Sequence, residues 1–558
     1  MTSERSFGIT LLGCGIVGGG VARILTEQRE MLQRRTGMTF DIRHVVVRDA
    51  LKTRPGNFKT STDFKAAVES KETDIVIELI GGTGVAKTAI EAALRLGKPV
   101  VTANKSLLAA HGAELFALAK KHNTCIAFEA SAGGGVPIIN ALTRGLIANR
   151  IDALVGIVNG TCNVILTRMT RNGWSYEQAL AEAQEKGFAE ADPTMDVSGR
   201  DAAQKLALLA SLAFNARVIE GDIHIEGIDA LQKADIEFAK EMGYIIKLLA
   251  IAERSADNRL CLRVHPTLVH HGDMLAEVSG SFNAISVYGN SLGHSLFYGR
   301  GAGAMPTASA VVADLVSVAM GTTQIEFRQL RVFPDTTAPV NILPFHELQS
   351  RYYLRLMARD VPGVLAQVTK ALGDHGISLS AIHQRETDAG QFVPVILTTH
   401  LAKEGAMQAA LGVIDALPVI GRPSACLRII DPPKEFAGVL GLRSPPPGTP
   451  GGGDRKSGPG IVVFDSLPTI FLGAGRTRRQ GSSVCFRNTI STESSTKCSR
   501  RWENRAGIID RFTHGWPLWG AMRFSAAVEW RTSPSKIRAS PSPSTAIRPA
   551  WRRSSHSI

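Results

Sequence analysis

Two residues four apart carry the clearest chemistry in this chain. Asp201 and Lys205 close the segment G-F-A-E-A-D-P-T-M-D-V-S-G-R-D-A-A-Q-K, residues 187–205. At that spacing they share one face of a helix. The same stripe continues into Leu208 and Leu212, so the pair stands in line with an apolar, core-facing row. Charges leave water only when they are paired. A lysine held by a carboxylate at the edge of a core can act as a general acid or base; the alternative is an ordinary ion pair on a solvated face. A second lysine, Lys105, follows the run Val100–Val101 in T-A-N-K. In open α/β sheets ligands bind beyond the carboxyl ends of the strands. Lys105 therefore serves a cofactor or substrate, or is a plain surface lysine.

Phosphate chemistry is written nearer the N-terminus. Gly13-Cys14-Gly15-Ile16-Val17-Gly18 follows an apolar run and opens a helical pattern. In such a turn Gly13 permits the tight bend, Gly15 lets backbone approach a pyrophosphate and Gly18 allows close packing. The helix N-terminus then faces the phosphates. The second strand ends at Arg48, Asp49, Lys52 and Arg54. A carboxylate there suits the ribose of NAD and cations suit the extra phosphate of NADP. Cations outnumber the one acid, which points to NADP with NAD as the alternative. Glu129-Ala130-Ser131-Ala132-Gly133-Gly134-Gly135-Val136-Pro137 joins a carboxylate to a glycine turn. Its oxygens could hold a hard cation, or the loop could serve only to let chains pass closely. Two further turns, Asn159-Gly160-Thr161-Cys162-Asn163 and Gly299-Arg300-Gly301-Ala302-Gly303, offer polar or backbone surface of either kind.

These residues need a scaffold. Strand-like runs at Gly8–Leu12, Ile42–Val47, Asp74–Ile80, Pro99–Thr102 and Thr124–Phe128 alternate with helical stretches such as Gly19–Arg34 and Ala86–Leu96. That alternation predicts an α/β, doubly wound, Rossmann-like parallel-sheet domain over residues 1–150. Residues 151–330 combine helices at Tyr176–Lys186, Gly199–Phe214 and Ile236–Ala252 with strands at Leu260–Thr267 and Ala284–Val287, an α+β second domain. The helix near 306–330 is expected to pack back on the first domain. Residues 351–431 read strand, helix, strand, strand, helix, strand, the ferredoxin-like order.

The 558 residues carry 63 Lys+Arg against 50 Asp+Glu, a net charge of +13. All of that excess falls after Asp431: residues 432–558 hold 20 cations and 7 acids, and residues 1–431 are balanced at 43 of each. A basic chain suggests nucleic acid or membrane partners, but the body of this one is neutral. The last segment is rich in Arg, Ser and Pro yet contains five of the six tryptophans. Disordered tails are poor in aromatics. The expectation is a reading frame lost near residue 432, with a nucleic-acid-binding arm as the alternative. Seven scattered cysteines, none in C-x-x-C, argue against a disulfide framework or a zinc site. No secretory signal or membrane-spanning run is evident, so a cytoplasmic protein is expected.

Taken together, GCGIVGGG, TANKSLLA, EASAGGGVPII, GIVNGTCN, the GFAEADPT run with its helix, and YGRGAGAMPTASAVVADL resemble the homoserine dehydrogenase family, in family order across residues 7–330. The resemblance implies NAD(P)-dependent interconversion of L-aspartate 4-semialdehyde and L-homoserine. It further implies Glu190 and Asp201 as substrate-binding residues, Lys205 as proton donor and Lys105 beside cofactor and substrate. Gly187 and Gly303 would contact the cofactor. Glu129 with the carbonyls of Ala132, Gly134 and Val136 would hold a monovalent cation such as sodium. Residues 351–431, with Y-Y-L-R-L at 352–356 and D-V-P-G-V-L at 360–365, resemble an ACT domain. That implies an amino-acid effector, L-threonine, and a homodimer or homotetramer.

Overall fold

A computed structural model describes residues 5–50, 52, 58–331, 341–384 and 391–430. Arg54 and the segment 432–558 lie outside them. The first sheet is parallel throughout, with strands β1 (Arg5–Leu12), β2 (Met38–Val46), β3 (Thr60–Ser61), β4 (Ile75–Glu78), β5 (Val100–Thr102) and β6 (Ile126–Ala127) in the order β3-β2-β1-β4-β5-β6. Chain order reverses between β1 and β4, which is where such sheets open a crevice. Ile9, Leu11, Val76, Ile77, Val100 and Val101 are fully buried because helices cover both faces.

The predicted helix Gly19–Arg34 is two helices, Ile16–Glu27 and Arg29–Thr36. The helix Val85–Arg95 stops before Gly97, whose φ of +73° a side chain would disfavour. The helix Ala304–Ala319 lies against Ile16–Glu27 so tightly that a Cβ on Gly20 would stand 2.8 Å from the Ala304 carbonyl oxygen.

The second sheet has eleven strands and runs through two modules. Its strands are β7 (Ile151–Ile157), β8 (His224–Ile225), β9 (Tyr244–Arg254), β10 (Leu260–His270), β11 (Phe282–Gly289), β12 (Gly293–Arg300), β13 (Gln349–Arg359), β14 (Leu379–Gln384), β15 (Phe392–Thr399), β16 (Ala402–Lys403) and β17 (Ile420–Ile430). The main path is β12-β11-β7-β9-β10-β17-β13-β15-β14. The last four strands of that path, with helices Val364–Asp374 and Glu404–Asp415, form the expected ferredoxin-like unit around its own apolar cluster. This unit is stitched to the preceding one by parallel pairing of Thr267–Val269 with Arg428–Ile430.

One element differs in kind. Ile236–Ala252 is not a helix: the helix Lys233–Glu241 ends before Gly243 (φ +81°), and Tyr244–Arg254 is a strand. Held between β7 and β10, β9 is buried on both faces. Its middle, Ile246–Ala252, is buried throughout and apolar except at Lys247, so it shows no period that separates strand from helix. Among the described residues no single helix is long and apolar enough to cross a membrane.

Candidate functional site

The helix Arg200–Phe214 starts at Gly199, held at φ +83°. Its first turn carries Asp201, where the positive end of the helix dipole favours a carboxylate. One turn on, Lys205 places Nζ 2.7 Å from Asp201 Oδ2. Lys105 Nζ stands 3.2 Å from the other oxygen, Oδ1. The Lys205 ammonium also donates to the Val158 carbonyl at 2.7 Å, and Asn283 Nδ2 donates to the same oxygen at 3.2 Å. The side chains of Asp201 and Lys205 are 12% and 14% exposed against 31% for Lys105, so Lys105 is the one nearer water. Leu208 and Leu212, on the same stripe, are buried.

Burial works against an ionised Asp201. The charges of Lys205 and Lys105, with hydrogen bonds from Lys205 and Asn159, outweigh it and hold the carboxyl well below the usual carboxylate range. Two ammonium groups thus share one carboxylate.

Asn159 fixes this arrangement. Its Oδ1 caps the helix Gly160–Asn172 by accepting from the Cys162 N–H at 2.8 Å. The amide orientation is therefore set, and Nδ2 faces Asp201 Oδ2 at 2.8 Å and Asp196 Oδ1 at 2.7 Å. Lys105 is placed by a second set of bonds at the carboxyl ends of β4 and β5. Asn104 caps the helix Lys105–Lys121 by accepting from Leu107 N–H, and it donates to the Gly82 carbonyl. Thr102 Oγ1 accepts from Asn104 N–H and donates to buried Glu78 at 2.6 Å. Glu78 in turn accepts from the N–H groups of Ile80 and Gly81. Ser106 Oγ donates to Gln204 at 2.9 Å, tying the Lys105 helix to the Asp201 helix.

The glycine turn opens on a groove of about 1600 Å³ lined by Gly13, Gly15, Ile16, Arg48, Lys52 and Met305, among others. Gly13 has φ +95°, and a Cβ there would stand 2.5 Å from the Leu79 carbonyl oxygen. At Gly15 no atom lies within 4 Å of where a Cβ would be, and no side chain caps the helix it begins. The first N–H groups of that helix, Ile16, Val17 and Gly18, are therefore the groups that suit a phosphate. Gly18 itself lies beneath the turn, where a Cβ would come within 2.2 Å of the Gly13 carbonyl oxygen. Arg48 and Lys52 line the groove and Asp49 is not part of its lining.

Glu129 is buried, and its carboxylate accepts from the N–H groups of Ile139 and Asn140 at 2.8 Å each and from the Asn140 side chain. Burial raises its pKa. Burial, with the charge of Glu129, also pushes Asp314 up to about 8 while that carboxylate accepts from the Glu129 N–H. Gly133 and Gly134 have positive φ, and Gly134 packs on the Gly301 carbonyl. The Val136 carbonyl accepts from Ile138 N–H. Gly303 (φ +123°) heads the helix whose Ala304 and Met305 reach the groove, and Gly187 is exposed at φ +72°. Glu190 is exposed on the loop after the helix Tyr176–Glu185, outside the Asp201 cluster.

Sequence reasoning did not single out Glu78 or Asn283. The available signal for Glu78 was an acid interrupting the apolar run Ile75–Ile80.

Comparison with known proteins bears directly on this arrangement. The family profile described as homoserine dehydrogenase matches residues 137–316, and that family's NAD-binding domain matches residues 13–129. A homoserine dehydrogenase of Pseudomonas aeruginosa is 42% identical over 426 residues, covering 75% of this chain and 98% of the relative. The chain belongs to the homoserine dehydrogenase family. A homoserine dehydrogenase of Neisseria gonorrhoeae is 40% identical over 428 residues, again 75% of this chain and 98% of the relative. Among solved structures, a homoserine dehydrogenase from Thiobacillus denitrificans superposes with a TM-score of 0.71 at 42% identity, covering 76% of this chain and 99% of that one. The ACT profile matches residues 352–419. As a homoserine dehydrogenase family member the chain is an NAD(P)-dependent oxidoreductase with a nicotinamide-cofactor-binding domain and an ACT domain.

Proposed function

We propose that this chain interconverts L-aspartate 4-semialdehyde and L-homoserine, with Lys205 as the proton donor. The observation that carries the reading is the half-buried Lys105–Asp201–Lys205 cluster in a chain of this family. Glu190 and Asp201 hold the amino-acid end of the substrate. Lys205 donates a proton from Nζ to the carbonyl oxygen as that oxygen gains negative charge, and takes it back in the reverse direction. Lys105 shares Asp201 and adds a second cation to the developing alkoxide. When bound, the nicotinamide supplies the hydride to the aldehyde carbon.

The groove residues fit such a cofactor: uncapped N–H groups of Ile16, Val17 and Gly18 and open space at Gly15 suit the pyrophosphate, with Gly13 shaping the turn. Arg48 and Lys52 on the groove wall favour NADP over NAD. Gly187 and Gly303 complete the cofactor surface. Glu129, with the carbonyls of Ala132, Gly134 and Val136, holds a monovalent cation such as Na+. A buried carboxylate beside a loop turned by two positive-φ glycines supports that assignment. The ACT domain takes L-threonine as a feedback effector, and the enzyme works in the cytoplasm as a homodimer or homotetramer. Residues 432–558 are a non-native extension.

The test is reduction of NADP or NAD at 340 nm with L-homoserine, with and without L-threonine. Homoserine-dependent reduction that L-threonine suppresses meets the whole reading. No reduction with either cofactor overturns it.

A further inference from the structure

Glu226, one residue past β8, belongs to neither the cofactor groove nor the lysine cluster, yet it is tied to both modules of the long sheet. His224 Nε2 lies 2.8 Å from Glu226 Oε1, and Arg428 of β17 pairs with Oε2. Arg428 is almost completely buried and is gripped on its other side by Glu404, at 2.5 and 3.1 Å. Glu226 is therefore held by the last strand of the ACT module and, through Arg428, by that module's second helix.

The backbone around Glu226 leads straight to the site. Its N–H donates to the Val264 carbonyl of β10 at 2.8 Å, and Ile228 N–H donates to the Val197 carbonyl at 2.9 Å. A Cβ on Gly227 would stand 2.5 Å from that same Val197 oxygen and 2.9 Å from Ser198 Cα. A Cβ on Gly199 would stand 3.2 Å from the Glu226 carbonyl oxygen. Residues 226–228 thus press, backbone to backbone, on the turn Asp196–Gly199. That turn begins at Asp196 and ends two residues before Asp201, the two carboxylates bridged by Asn159.

We infer that Glu226 is a positioning residue for the substrate end of the site: anchored by Arg428, it seats residues 226–228 on the Asp196–Gly199 turn and so sets where Asp196 and Asp201 point. The inference rests on the reading of Asp201 as a substrate-binding carboxylate. It gives the ACT module a mechanical hold on the substrate site and none on the dinucleotide groove, which lies on the other sheet.

The experiment compares the full chain with Glu226→Gln, Gly227→Ala and Asp235→Asn. Asp235 serves as the control because its ion pair with Arg355 also joins the two modules but lies away from the turn. For each, kcat, KM for L-homoserine, KM for NADP and Tm are measured. Glu226→Gln and Gly227→Ala should each raise the KM for L-homoserine at least about fivefold while the KM for NADP stays within about twofold. Asp235→Asn should lower Tm with no such split. An unchanged homoserine KM in Glu226→Gln, or the same split in Asp235→Asn, overturns the inference while leaving the proposed activity intact. A wild-type chain that does not turn over L-homoserine overturns both. If Gly227→Ala does not fold, Glu226→Gln alone decides.

Discussion

Replacing Lys205 by methionine removes one ammonium from a cluster of three charges and leaves the rest of the cluster in place. Breaking a buried ion pair on one side typically costs about 3–5 kcal/mol, because a bare charge is left behind. Here Asp201 keeps Lys105 at 3.2 Å and the Asn159 amide at 2.8 Å. The remaining carboxylate stays partnered, and the loss should be nearer about 2 kcal/mol, a Tm lower by several degrees. The effect on turnover should be far larger. A positioned proton donor contributes about 10²–10⁴-fold, and the lost cation would also have faced the developing alkoxide, so kcat should fall by about 10³-fold or more. Affinity for NADPH, followed by fluorescence titration, should stay within about twofold, since Lys205 does not line the groove. Lys205→Arg separates the two contributions: it restores charge but holds its proton too tightly to give it up. It should recover substrate KM and little of kcat. A methionine variant with kcat within tenfold of wild type would refute the assignment, as would a loss of NADPH binding that matches the loss of rate.

Three further outcomes are expected. Asp201→Asn should raise the KM for L-homoserine at least tenfold and change the acid limb of stability. The folded-state pKa of Asp201 is depressed, so its contribution is fully present above about pH 4, the ordinary carboxylate pKa, and is lost as pH falls below it. Urea midpoints from pH 3 to 7 should therefore vary less steeply in the variant. Arg48→Ala should raise the KM for NADP several-fold and leave that for NAD unchanged, since Arg48 lines the groove and its proposed role is to meet the additional phosphate. Ending the chain after Asp431 should leave kcat and Tm unchanged and solubility equal or better. A large loss of any of these would restore residues 432–558 to the native protein.

What could be read in the sequence was what local chemistry dictates. Gly13 and Gly18 are needed because other backbone passes within 2.5 Å of where their side chains would be, and such positions print as glycine. The Asp201–Lys205 pair was visible because its spacing and the apolar stripe beyond it belong to one helix. Lys105 meeting Asp201 was not visible, since the two sit on helices nearly a hundred residues apart in the chain that come together through tertiary packing, the Ser106–Gln204 contact included. Tyr244–Arg254 was misread because a central strand buried on both faces has lost its alternation. Glu78 and Asn159 do their work through hydrogen bonds to distant loops, which residue order does not record.

The shared sheet also bears on how this architecture can be re-engineered. β10 and β17 pair through three residues of each strand, Thr267–Val269 with Arg428–Ile430, and the Arg355–Asp235 and Arg428–Glu226 ion pairs cross the same seam. A sensory cassette grafted from another protein in place of residues 349–430 would leave β10 with an open edge, and the buried Asp235 and half-buried Glu226 without their arginines. Donor modules are therefore restricted to those whose terminal strand arrives parallel to β10 with a cation at the position of Arg428. Sequence similarity between donor and host matters less than whether that seam can be rebuilt.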